Sequence, residues 1–156
     1  MVKILFVCLG NICRSTMAEY VMKYLVEQAG QGEAFFIDSA GTSAEETGNP
    51  VHPGTRRRLA REGISIQGKR AALLTPEDYA RYDLLIGMEE RNLAAMRRIL
   101  GGDPEGKLRR LLDFSPRPRD IADPWYTGDF DRTYDDVLEG CEALLDSLLA
   151  EEKASL

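Results

Sequence analysis

The chain opens on a short apolar run. Val2, Ile4, Leu5, Phe6 and Val7 lead to Cys8, and Gly10 ends the run. A near-continuous bulky and β-branched segment predicts a buried strand over 1–8. After a loop over 9–13, Met17, Val21, Tyr24 and Leu25 recur at helical spacing until Gly30. This pattern predicts a helix over 15–29. Phe35, Phe36 and Ile37 mark a second strand over 34–39, followed by a polar loop over 40–53. A basic helix over 54–62 closes at Gly63. Another, short, starts at Thr75, with Pro76 at its first position and Asp78 near the reciprocal capping position. Leu84, Leu85 and Ile86 centre a third strand over 83–88, and the helix over 89–100 stops at Gly101 and Gly102. A fourth strand is expected over 108–114, although Arg109 and Arg110 interrupt it. The loop 115–128 holds three of the seven prolines, and the last helix, 130–149, lines up Val137, Cys141, Leu144, Leu145 and Leu148.

Strands and helices alternate from the first residue. That order predicts an α/β fold, a parallel sheet covered by helices on both faces. Ligands of such folds bind beyond the carboxyl ends of the strands, near a topological switch point. The loops 8–15, 39–53, 88–92 and 113–128 are therefore where chemistry is sought.

Composition narrows the function. With 156 residues, 44% apolar and 29% charged, one compact domain over 1–156 is expected and whole-chain disorder is excluded. No apolar run approaches the roughly 20 residues of a membrane span. Lys3 is followed by too short a run for a secretory signal. The net charge of −6 argues against general nucleic-acid affinity. Cys8, Cys13 and Cys141 are odd in number and widely spaced, which fits a reducing cytoplasm better than a disulfide scaffold. A single histidine, His52, and three cysteines do not build an ordinary zinc site. No metal or cofactor is expected, and catalysis falls to Cys, Asp, Glu, Arg or Ser.

The segment Cys8-Leu9-Gly10-Asn11-Ile12-Cys13-Arg14-Ser15 joins a strand end to a helix start. Gly10 and Asn11 tolerate the left-handed backbone that a tight loop needs. Successive amides then form an anion nest backed by a helix N-terminus. Arg14 adds a bidentate fork, and Cys8 at the bottom is set for in-line attack on phosphorus. A thiolate there needs direct donors, each worth about 1.5–3 kcal/mol to a charged acceptor, because a helix terminus supplies at most ~2 kcal/mol. The loop amides and the Ser15 hydroxyl are those donors. A lone strand-end Cys is usually a small buried hydrophobe; the whole string in its context is far more specific. The ending lacks the Gly-Lys-Ser/Thr of nucleotide hydrolases. An acid for the leaving oxygen is expected at Asp123, ahead of Pro124, with Trp125 and Tyr126 flanking an aryl group. Cys8 and Cys13 share one short loop, so oxidation of a Cys8 thiolate is expected to end in a Cys8–Cys13 disulfide.

These residues resemble the low-molecular-weight protein tyrosine phosphatase family over nearly the whole chain. The resemblance is carried by Val7 to Ser15 with Met17-Ala18-Glu19, by Asp38-Ser39-Ala40-Gly41-Thr42, by Asp83-Leu84-Leu85-Ile86 with Met88 and Asn92, and by Asp123-Pro124-Trp125. It implies a four-stranded parallel sheet, a phosphate-binding loop after the first strand and a metal-independent, two-step reaction. Cys8 would become a phosphocysteine, Arg14 would hold the equatorial oxygens, and Asp123 would act as acid and then base. Leu9, Gly10, Asn11, Ile12, Cys13 and Ser15 would bind substrate, with Glu45, Trp125 and Tyr126 at the rim. Asn11 and Ser15, with Ser39 or Ser43, would fix the loop. Phosphotyrosine proteins are the implied partners of a cytoplasmic monomer or weak dimer. Related arginine phosphatases typically carry Thr where Ile12 stands. Arsenate reductases of this fold pass a disulfide to further cysteines, and only Cys141 remains here. A phosphate-binding module with decayed catalysis is the alternative of another class. The chain departs from the family at Thr16 (often Pro), Glu89 (often Asp), Gly68 (in a region that often holds His) and Glu45-Glu46 (often a large apolar wall).

Overall fold

The computed structural model describes residues 1–66 and 68–154. Four strands, β1 (Val2–Cys8), β2 (Phe35–Gly41), β3 (Leu84–Gly87) and β4 (Leu108–Arg110), form one sheet in the order β2-β1-β3-β4. Every pairing is parallel. The chain leaves β1 toward β2 on one side and later returns to β3 on the other. The switch point thus lies at the carboxyl end of β1, where Cys8 stands.

Strand β1 shows why both faces are covered. Ile4, Phe6 and Cys8 point to one core, and Leu5 and Val7 point to the other. The first face packs against α1 (Arg14–Gln28), α2 (Pro53–Ala60) and α6 (Phe130–Ala154). The second packs against α3 (Asp78–Arg81) and α4 (Glu90–Leu100), through Tyr79, Leu93 and Met96. Burying one such side chain stabilises the fold by about 1.5–3 kcal/mol.

Several boundaries differ from the sequence expectation. Helix α1 starts at Arg14 rather than 15, β2 runs on to Gly41, and α6 continues to Ala154. The helix expected from Thr75 begins at Asp78, although the reciprocal bond is present: the Thr75 amide donates to Asp78 Oδ2 at 2.9 Å. Strand β4 stops at Arg110, and Leu111–Phe114 turn into a 3-10 helix. The cause is local. The Asp113 carboxylate accepts from the Arg110 amide at 2.9 Å and from Arg110 Nε at 3.0 Å, pulling the chain out of the ladder. The expected loop 115–128 contains a short helix, α5 (Pro124–Thr127). Asp123 caps it through a bond from the Trp125 amide at 3.0 Å, and Pro124 takes its first position. Two ties hold this loop on the sheet side. The Ile121 amide donates to the Met88 carbonyl at 2.9 Å, and Arg119 pairs with Asp136 and Glu139 of α6 at 2.9 and 3.0 Å. Arg119, then Ser115, hold the Glu139 carboxyl down at about 2.

Candidate active site

Residues 8–15 wrap around a single concavity at the end of β1. Asn11 carries the left-handed turn, with φ 58°; it is the one non-glycine with positive φ among the described residues, and Gly10 is not left-handed. The turn lies tight on β2. A Cβ on Gly41 would stand 2.8 Å from the Leu9 carbonyl, so only glycine lets the loop approach. The Thr42 and Ser43 amides tie the loop down by donating to the Cys8 and Leu9 carbonyls at 2.9 and 3.0 Å. The amides of Gly10, Asn11, Ile12 and Cys13 donate to no acceptor among the described residues. Amides without partners are rare and costly, and these four remain available to donate to an anion.

Behind the loop runs a chain of hydrogen bonds whose direction is fixed at both ends. Asn11 Oδ1 accepts from the Ala72 amide at 3.0 Å, so its Nδ2 must face Ser15 and Ser39, at 2.8 and 2.9 Å. Ser39 Oγ donates to Glu19 Oε1 at 2.5 Å, since a carboxylate only accepts. Ser15 Oγ accepts from Asn11 at 2.8 Å and lies 3.0 Å from Cys8 Sγ. A thiolate at Cys8 would accept the Ser15 proton across this contact. Asn11 and Ser15 are fully buried. Their side chains stand behind the concavity, within the network expected to fix the loop.

Glu19 is 2% exposed and needs compensation. Lys23 Nζ lies 2.5 Å from Oε2 and Lys69 Nζ 3.5 Å from Oε1. Lys69 also reaches Asp38 at 2.7 Å and the Ser39 carbonyl at 2.9 Å. Lys69, next to Gly68, thus brings an ammonium to this network from the region where the family often has an imidazole. Lys69→Met is expected to lower stability by about 1.5–3 kcal/mol, the scale of hydrogen bonds to charged groups. Urea unfolding measures this, and Lys69→Arg should recover most of the loss.

Arg14 is 2% exposed and enters from the first turn of α1. Its Nη1 donates to Glu89 Oε2 at 2.5 Å and to the Ile121 carbonyl at 2.8 Å, and Nη2 lies 3.3 Å from Asp123 Oδ2. Burial works against the guanidinium charge, but Cys8, Asp123 and Glu89 outweigh it and hold Arg14 above its ordinary value. Glu89 is also the N-cap of α4, where it forms a reciprocal pair with Asn92. Burial first, then Cys8 and Asp123, push the Cys13 thiol up to about 12, so Cys13 is a neutral thiol. Thr16 hydroxyl donates to the Cys13 carbonyl at 2.9 Å, a contact that Pro at this position would lack.

The concavity brings together Cys8, Leu9, Gly10, Ile12, Cys13, Arg14, Glu45, Asp123, Trp125 and Tyr126, all expected from sequence. Ser43 and Glu46 also line it. Trp125 and Tyr126 stand exposed at the mouth. His52 is a helix-start residue: its Nδ1 accepts from the Gly54 amide at 2.9 Å and its ring stacks on Phe130. No three His, Cys, Asp or Glu gather to hold a metal ion among the described residues. None of the described helices is long and apolar enough to cross a membrane.

The sequence model of the family described as low molecular weight phosphotyrosine protein phosphatase matches residues 3–154. The chain belongs to this family of hydrolases. Among its relatives, low molecular weight protein-tyrosine-phosphatase YfkJ of Bacillus subtilis is 39% identical over 155 residues, covering 98% of this chain and 99% of that one. Staphylococcus aureus PtpA, another low molecular weight protein-tyrosine-phosphatase, is 35% identical over 150 residues, covering 96% and 95%. The crystal structure of YfkJ superposes with a TM-score of 0.94, over 97% of this chain and 96% of that chain. The crystal structure of a Drosophila arginine phosphatase is also similar, 28% identical with a TM-score of 0.85 over 94% of this chain and 98% of that chain.

Proposed function

We propose that the chain hydrolyses phosphotyrosine in proteins through a phosphocysteine on Cys8. The observation that carries the reading is the run of unpartnered amides in the loop after Cys8, together with the Ser15 hydroxyl 3.0 Å from its sulfur. In the first step, the Cys8 thiolate attacks phosphorus in line and the tyrosyl oxygen leaves with a proton from Asp123. In the second step, Asp123 takes a proton from water as the water oxygen attacks phosphorus. Inorganic phosphate leaves and the thiolate returns, received again by the Ser15 hydroxyl. The amides and Arg14 hold the equatorial oxygens in both steps, where charge builds. Arg14 lies 3.3 Å from Asp123, and a phosphate dianion competes for the same guanidinium.

Ile12, Trp125 and Tyr126 give the mouth an apolar, aromatic character that suits an aryl ring. The three free cysteines, all buried, favour a reducing compartment, and the chain is read as cytoplasmic. Turnover of an aryl phosphate in the presence of a chelator tests the reading. Phosphotyrosine peptides should exceed phosphoarginine in kcat/KM by at least about 100-fold, and arsenate should not be reduced. Failure of every phosphate ester under these conditions would leave a phosphate-binding module.

Redox control follows from the same loop. Hydrogen peroxide is expected to convert the Cys8 thiolate to a sulfenic acid, which the Cys13 thiol displaces as water to give a Cys8–Cys13 disulfide. Because Cys13 is held neutral, closure is slow and over-oxidation competes at high peroxide. Mass spectrometry after mild oxidation should find the disulfide, reversible by thiols; a Cys8 sulfinate beside a free Cys13 would reject it.

A further inference from the structure

A second, shallower depression adjoins the catalytic concavity. Ile12 forms a wall of both. From Ile12 the surface passes Pro50, Val51 and Pro53 and ends at Arg56 and Arg57 on α2. Their neighbours on that helix and just beyond it are committed: Arg58 pairs with Glu62 at 2.9 Å and Arg61 with Asp131 at 3.0 Å. Arg56 and Arg57 are exposed, and neither side chain has an ion pair or hydrogen bond among the described residues. In a chain of net charge −6, two uncommitted guanidiniums beside the catalytic mouth are a local reversal of sign.

The opposite charge sits on the mouth itself. Glu45 has no cationic partner among the described residues, and Glu46 lies over Gly10, accepting from Asn49 at 2.6 Å. The segment 43–48 thus repels carboxylates, while the Ile12 side ends in cations.

We propose that this depression is a subsite for residues flanking the phosphotyrosine, and that Arg56 and Arg57 select acidic side chains there. The inference rests on the phosphotyrosine reading above. An extended peptide advances about 3.3 Å per residue, so a chain anchored in the concavity carries its neighbours past the shared Ile12 wall. The apolar stretch takes their stems, and the arginine forks take their carboxylates.

The test is a set of phosphotyrosine peptides with alanine flanks and one aspartate placed in turn at each of the four positions on either side. The native chain should prefer aspartate over alanine on one flank by about 3- to 10-fold in kcat/KM, the range of one or two exposed ion pairs. The preference should shrink as salt is raised. In Arg56→Glu/Arg57→Glu it should invert to a preference for lysine at the same positions, with p-nitrophenyl phosphate turnover unchanged. A native chain indifferent to aspartate, or a preference that survives the double reversal, overturns the subsite while leaving the phosphatase reading intact. Loss of all ester turnover in the native chain overturns both. If the double variant instead abolishes self-association in sedimentation velocity, or binding to phosphatidylserine vesicles, with peptide preference unchanged, the occupant is a second copy or a lipid surface and the subsite is rejected.

Discussion

Cys8→Ser is expected to reduce kcat by at least about 10⁴-fold while phosphate still binds. The amides of residues 10–13 and Arg14 do not depend on the sulfur, so the anion site survives. What disappears is the nucleophile, because a serine hydroxyl stays protonated at neutral pH. Ser15, 3.0 Å from the sulfur, is itself a neutral hydroxyl and cannot take the proton as a base would. Isothermal titration with phosphate should give a Kd within a few-fold of the native chain. Turnover above about 1% of native would contradict the mechanism, and loss of phosphate binding would show that the sulfur is part of the anion site's architecture.

Asp123→Asn is expected to separate substrates by their leaving groups. General acid catalysis contributes typically 10²–10⁴-fold, and its value falls as the leaving anion becomes stable by itself. Phenyl phosphate should lose about 10³-fold in kcat/KM and p-nitrophenyl phosphate far less. Asparagine is the informative replacement because Asp123 also caps α5 through the Trp125 amide. Asparagine is an equally good cap, so the loop geometry is kept while the proton is lost. A plot of log kcat/KM against leaving-group pKa should be steeper for the variant. Parallel lines would assign Asp123 to structure alone.

How far the site could be read from sequence depends on how local each contact is. The strand β1, the loop and the start of α1 are contiguous, and an apolar run stopped by Gly10-Asn11 identifies them. Even there, the left-handed residue is Asn11 rather than Gly10, a choice set by the Ala72 amide that binds its side chain from 61 residues away. Asp123 was legible as a candidate acid, yet Asp-Pro also spells an N-cap followed by a first helical residue, and α5 is the result. Leu111 and Leu112 look like strand continuation because both are apolar; Asp113 decides otherwise by bonding back to Arg110. Glu89 and Lys69 were illegible as partners. Glu89 meets Arg14 across 75 residues, and Lys69 meets Asp38 across 31. Their sequence surroundings announce only a helix start and a polar loop. Glu46 reaches the concavity where the resemblance put a wall, and Ser43 lines it as well, whereas Ser39 rather than Ser43 bonds Asn11.

The phosphocysteine is the central claim, and the Asp123→Asn chain offers the way to see it. With p-nitrophenyl phosphate the first step needs little acid help, whereas the second still needs a base for water. The phosphoenzyme should therefore accumulate after a burst of nitrophenol equal to the enzyme concentration. Acid quench, digestion and mass spectrometry should then locate one phosphate on the peptide containing Cys8, bound to sulfur. A burst with phosphate on any other side chain, or steady turnover with no phosphoenzyme, would contradict the account.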